Sequence, residues 1–173
     1  MSAADQDQLD RLRLIRSANI GPISYRQLLT RFGSASAALD AIPALTARAV
    51  GRAPKLATPE EVQREWSRVI DLGARYVFWG DPDYPALLAE LDTAPPALII
   101  KGDLSLVRRP CVAMVGARNA SASACRFARE LAANLADKGV SIVSGLARGI
   151  DAHAHHGSLK SGTIGVIASG IDV

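Results

Sequence analysis

Two short stretches combine glycine, hydroxyl and arginine in a pattern suited to holding phosphate. The first is Val115-Gly116-Ala117-Arg118-Asn119-Ala120-Ser121, and the second is Ser144-Gly145-Leu146-Ala147-Arg148-Gly149-Ile150-Asp151. Gly116, Gly145 and Gly149 permit tight turns and a close approach of main chain to an anion. Ser121 can cap a following helix, whose free N–H groups and dipole favour negative charge. Ser144 supplies a hydroxyl to the second stretch. Arg118 and Arg148 each add a permanently charged, bidentate phosphate donor. The same composition at two places points to a phosphate-backbone binder rather than to two solvated turns.

What is absent narrows the chemistry. No G-x-G-x-x-G occurs, and the stretch before Ser144-Gly145 carries no acidic residue to hold a ribose, so a dinucleotide cofactor is not expected. A G-x-x-x-x-G-K-[ST] phosphate loop and a G-x-S-x-G nucleophile elbow are missing as well. Ser144 has no acid–base chain leading to it, so no catalytic residue is expected. His153, His155 and His156 cluster with Asp151. Only His153 and His156 share a helical face and no second ligand group exists, so no metal site is expected. Helix packing, or polar anchoring of the Asp151 loop, is the expected role of this cluster.

Residues 1–75 read as short helices. Leu9, Leu12 and Ile15 follow helical spacing, Ile20-Gly21-Pro22-Ile23 breaks the chain, and a second helix follows from about Ser24 to Gly33. Two more short helices are expected over 34–42 and 45–50. Thr58-Pro59-Glu60-Glu61 is a helix start, with Thr58 and Glu61 spaced for a capping box. Composition changes at Tyr76, which places a domain boundary between 1–75 and 76–173. Strands are expected over 76–79, 97–100, 111–115, 140–143 and 164–168. Helices are expected over 86–91 and 121–138, the latter with Phe127, Leu131 and Leu135 on one face, and another from near Asp151. Apolar strands alternating with helices indicate a parallel sheet covered on both faces. In such sheets ligands sit outside the carboxyl ends of the strands, so adjacent strands would bring Arg118 and Arg148 to one rim.

The bulk numbers set limits. The 173 residues allow one or two domains, and 49% hydrophobic against 21% charged residues allows a real core. Residues 1–75 hold 11 Lys/Arg against 8 Asp/Glu, and the remainder 9 against 9, so any anion site in the second half depends on local placement. Cys111 and Cys125, the only two cysteines, are expected to be buried and reduced. A polar, acidic N-terminus and the lack of any apolar run near the ~20 residues of a bilayer span point to a cytoplasmic, non-membrane protein. The sequence stops after Ser169-Gly170-Ile171-Asp172-Val173, where a further strand-to-helix turn is expected, so the sheet domain is expected to be incomplete there.

These stretches resemble the DprA/Smf family. Val112-Ala113-Met114-Val115-Gly116-Ala117-Arg118 with Ser121 is similar to its V-G-[SA]-R-x-x-S motif. Ser144 to Asp151, with Ala154-His155, resembles its S-G-[LM]-A-x-G-I-D-x-x-A-H signature, and residues 162–172 resemble the continuation of that signature. Upstream, Gly80-Asp81-Pro82-Asp83-Tyr84-Pro85 and Pro95-Pro96-Ala97-Leu98 with Lys101-Gly102 match further family stretches. The resemblance implies an α/β protein: a small all-helical SAM-like or helix-hairpin-helix-like domain, then an extended Rossmann-like parallel-sheet domain. It implies a homodimer that binds single-stranded DNA, protects incoming DNA and helps load the RecA recombinase during natural transformation, with no cofactor. Arg118 and Arg148 become the DNA-phosphate candidates, with Gly116, Ser121, Ser144, Gly145 and Gly149 shaping the pocket. Two other readings stay open: a nucleotide-acting enzyme of the phosphoribohydrolase type, and an interaction module whose helical domain recruits a partner.

Overall fold

The computed structural model describes residues 3–47 and 55–172, and the chain divides into two compact units, Met1–Gly102 and Asp103–Val173. The first unit contains α1 (Ala3–Arg16), α2 (Pro22–Phe32), α3 (Ala35–Ala47) and α4 (Pro59–Asp71). Asn19 adopts a left-handed backbone at φ 64 before Pro22 opens α2, and Gly33 closes α2 at φ 79, donating its N–H to Leu29 O. Both halves of the Thr58–Glu61 capping box form at the start of α4. Leu14, Tyr25, Ala35, Ala38, Leu39 and Ile42 make a core shared by α1, α2 and α3.

Region 34–50 differs from expectation. One helix, α3, continues past Pro43 to Ala47 where two short ones were expected; positions 48–50 lie outside the described residues. A proline inside a helix removes one amide donor and crowds the preceding turn. Here the core stripe Ala35, Ala38, Leu39 and Ile42 comes before Pro43, so packing already anchors the helix when the proline is reached.

The antiparallel strands β1 (Arg75–Phe78) and β2 (Ala97–Ile100) belong to the same unit, with α5 (Ala86–Ala89) between them. Tyr76 stacks on Trp66 of α4 with ring centroids 5.0 Å apart and donates its hydroxyl to Glu65 at 2.7 Å. Composition therefore changes at Tyr76, whereas compactness changes after Gly102. Several arginines here are held in ion pairs. Arg11 pairs with Asp7 and Asp81, Arg16 with Glu65, and Arg75 with Asp83.

The second unit holds a parallel sheet in the order β3-β4-β5, formed by β3 (Cys111–Ala113), β4 (Ser141–Ser144) and β5 (Thr163–Gly165). Its crossovers are α6 (Ala122–Ala136) and α7 (Ile150–Ser158). Ile142 of β4 packs against Ala132 of α6 and Ala154 of α7, which puts both helices on one face. A 3-10 turn, Leu104–Arg108, lies at the amino ends of the strands, where Ser141 Oγ donates to Leu106 O at 2.8 Å.

Three expectations about this unit need correction. The buried stripe of α6 is Ala128, Ala132 and Ala136, while Phe127 is 65% exposed and Leu131 38%. The partner helix decides this. A Cβ at Gly157 of α7 would lie 2.2 Å from Arg129 O, a helix contact so close that only small side chains fit the seam. Cys111 is exposed, because it opens β3, an edge strand whose residues all face solvent, and Cys125 of α6 is half-buried. Both crossover helices of this unit lie on one face of the sheet, so helices on both faces are not seen among its described residues.

Candidate nucleic-acid interface

All three strands of the second unit point the same way, so their carboxyl ends share one edge. The ladder continues into the loops beyond: Met114 N–H donates to Val143 O and Val166 N–H to Ser144 O, each at 2.9 Å. The two arginine-bearing stretches begin at this edge. Their backbones touch. Gly149 has φ 80 and ψ −127, a conformation essentially closed to other residues. A Cβ there would fall 2.2 Å from Ala117 O and 2.7 Å from Arg118 O. Ile150 N–H donates to Ala117 O at 3.3 Å, and a Cβ on Gly116 would meet Ile150 Cγ1 at 2.6 Å.

Arg118 is thus carried by a peptide in contact with Gly149, the residue that follows Arg148. Both arginines are exposed, and neither makes an ion pair or side-chain hydrogen bond with the described residues. An unpaired guanidinium keeps all its donors for a ligand. Two of them on touching loops, with a net positive local charge, suit a chain of phosphates.

The hydroxyls and the remaining glycine have structural tasks within the same framework. Ser121 caps α6, its Oγ accepting from Ala124 N–H at 3.2 Å. Ser144 is buried and donates to Met114 O at 2.6 Å, which braces one loop against the other. Gly145 N–H donates to Asp151 Oδ2 at 3.2 Å, and a Cβ on Gly145 would stand 3.0 Å from that oxygen. Asp151 lies in the first turn of α7 and is 6% exposed, so this helix dipole already has an internal anion. The open helix start is that of α6.

Behind the loops sits His155, 6% exposed. Thr163 Oγ1 gives its hydrogen to Ile142 O at 3.0 Å, which makes His155 Nδ1 the donor to Thr163 at 2.8 Å. Burial is the main influence holding the imidazole pKa below its ordinary value, with the charge of Asp151 opposing it. His153 and His156 meet edge to face with centroids 6.1 Å apart, while His155 turns inward. Sequence reasoning expected helix packing or polar anchoring of the Asp151 loop from this cluster. It missed Leu146, which takes a left-handed backbone at φ 57. No propensity signals that for a leucine, and the only hint is the glycine it rests on, Gly165, nearly twenty residues away.

A helical domain is followed by a Rossmann-like parallel sheet whose strand ends carry the two arginine-bearing glycine loops. Residues 75–173 match the family described as DNA recombination-mediator protein A, and residues 5–67 match the DprA-like N-terminal HHH domain. The chain belongs to the DprA/Smf family. It is 41% identical over 99 residues to Protein Smf of Synechocystis sp., covering 54% of this chain and 25% of that protein. It is 43% identical over 95 residues to the DNA processing protein DprA of Streptococcus pneumoniae, covering 54% of this chain and 33% of that protein. The X-ray structure of DprA from Streptococcus pneumoniae superposes with a TM-score of 0.60 at 34% identity, covering 68% of this chain and 40% of that one. The aligned part thus spans a quarter to a third of these curated relatives. The fold expected from the sequence is the fold found.

Proposed function

We propose that this protein is a single-stranded-DNA-binding recombination mediator that binds without turnover. Arg118 and Arg148 grip successive phosphates, while Gly116, Ser121, Ser144, Gly145 and Gly149 hold the two loops in register. The observation that carries this reading is the contact of Gly149 with the Ala117–Arg118 peptide, which sets two unpaired arginines on adjoining backbone. The names of the relatives, DNA processing protein and recombination mediator, support it. In this reading the protein works in the cytoplasm as a homodimer, protects incoming DNA and helps load RecA during natural transformation. No helix among the described residues is long and apolar enough to cross a membrane.

Backbone contacts of this kind carry little sequence preference and weaken steeply with salt. Arg148→Glu replaces an attraction with a repulsion and is expected to weaken single-strand binding about tenfold or more, ~1.4 kcal/mol, with the melting temperature unchanged. Arg118→Glu should behave alike, and each should flatten the dependence of log affinity on log salt. A gel-shift titration that finds native affinity in both variants, both folded, rejects the proposal.

A further inference from the structure

Leu146 and Asn19 are the non-glycine residues with a left-handed backbone among the described residues. Asparagine tolerates that conformation, but a leucine Cβ is crowded in it. Burial does not account for the strain, because Leu146 is 59% exposed. Its side chain lies across Gly165, where a Cβ would meet Leu146 Cδ1 at 2.8 Å, so the bare glycine provides the seat. Val166, next in the chain and 58% exposed, extends the apolar surface. Leu146 stands two residues before Arg148, in the loop that touches Arg118. A strained, solvent-facing aliphatic side chain beside unpaired cations belongs to a binding site more readily than to a core.

We propose that Leu146 is a platform for a nucleobase: with neighbouring phosphates on Arg118 and Arg148, the base between them lies flat on the leucine side chain, beside Val166. The inference rests on the phosphate grip described above and narrows its ligand. Base faces are covered in a duplex and free in an unpaired strand, so a platform that takes a base face selects single strands. It remains tolerant of sequence because every base has such a face.

The test compares a thymidine oligonucleotide with an abasic oligonucleotide of equal length and equal charge, by fluorescence anisotropy on the full chain. The native protein should prefer the thymidine strand by roughly fivefold, as expected for covering part of one leucine side chain. Leu146→Gly and Leu146→Asn both accept the left-handed backbone, so both should melt no lower than the native protein and both should bring the ratio to about one. Equal binding of the two strands by the native protein overturns the platform while leaving the phosphate grip standing, provided Arg148→Glu still weakens both. A preference that survives in either Leu146 variant overturns it as well. If the native protein binds neither strand, the phosphate grip fails and the platform with it.

Discussion

At the scale of single residues, Gly149 bears the tightest constraint in the second unit. An added methyl group would meet two carbonyl oxygens and would also force a side chain into a positive-φ backbone. Gly149→Ala is expected to lower stability by about 2–4 kcal/mol and to weaken DNA binding with it, because the arginine loops would be pushed apart. Calorimetry alongside a binding titration checks both effects. Gly116 faces a softer obstacle, the Ile150 side chain, so Gly116→Ala should cost less.

His155 makes a second prediction at this scale. Its folded pKa lies below the ordinary value near 6.5, chiefly through burial. As pH falls through about 6.5, the unfolded chain takes up the proton first, so the stability contributed by the neutral ring is complete above that pH and declines below it. The melting temperature of the native protein should fall between about pH 8 and about pH 5.5. His155→Gln should show a shallower fall over the same interval; parallel curves would remove His155 as a cause.

At the scale of elements, the α6–α7 seam governs how the second unit packs. Gly157 sits against the backbone of Arg129, and Ala128, Ala132, Ala136 and Ala154 complete a surface of small residues. Gly157→Ala is therefore expected to cost about 1–3 kcal/mol, although alanine is the better helix former, since overpacking outweighs propensity here. A chemical-denaturation midpoint that rises instead would show that the helices can separate without loss. In the first unit, Glu65 ties α1 to α4 and β1. Burial works against its charge, but hydrogen bonds from Arg16 and Tyr76 outweigh burial and keep its carboxyl below the usual range.

At the scale of the whole molecule, the chain has two compact units, and the strand pair β1–β2 belongs to the first. Tyr76, Val77 and Phe78 are at most 5% exposed there, so a fragment ending at residue 75 would uncover the surfaces they bury. A fragment of residues 1–102 is expected to melt cooperatively, and one of residues 1–75 to melt at a lower temperature or without a clear transition. Circular dichroism of both fragments decides the point, and equal transitions would place the folding boundary at Tyr76. Charge divides along similar lines. Residues 1–102 hold 12 Lys/Arg against 12 Asp/Glu, with Arg11, Arg16 and Arg75 in ion pairs, whereas residues 103–173 hold 8 against 5 and include the exposed arginine loops.

Local chemistry made much of this protein readable in advance. The Thr58 capping box, the glycine end of α2, the strand–helix alternation and both arginine loops follow from short-range rules: a hydroxyl bonds the nearest free amide, and glycine accepts what other residues refuse. Contacts between distant segments settled the remainder. The inward face of α6 depended on how closely α7 could approach, the fate of Pro43 on the core already built before it, and the posture of Leu146 on an empty glycine on a neighbouring strand. Each of these depends on space left or filled by residues remote in the chain, which no periodicity records.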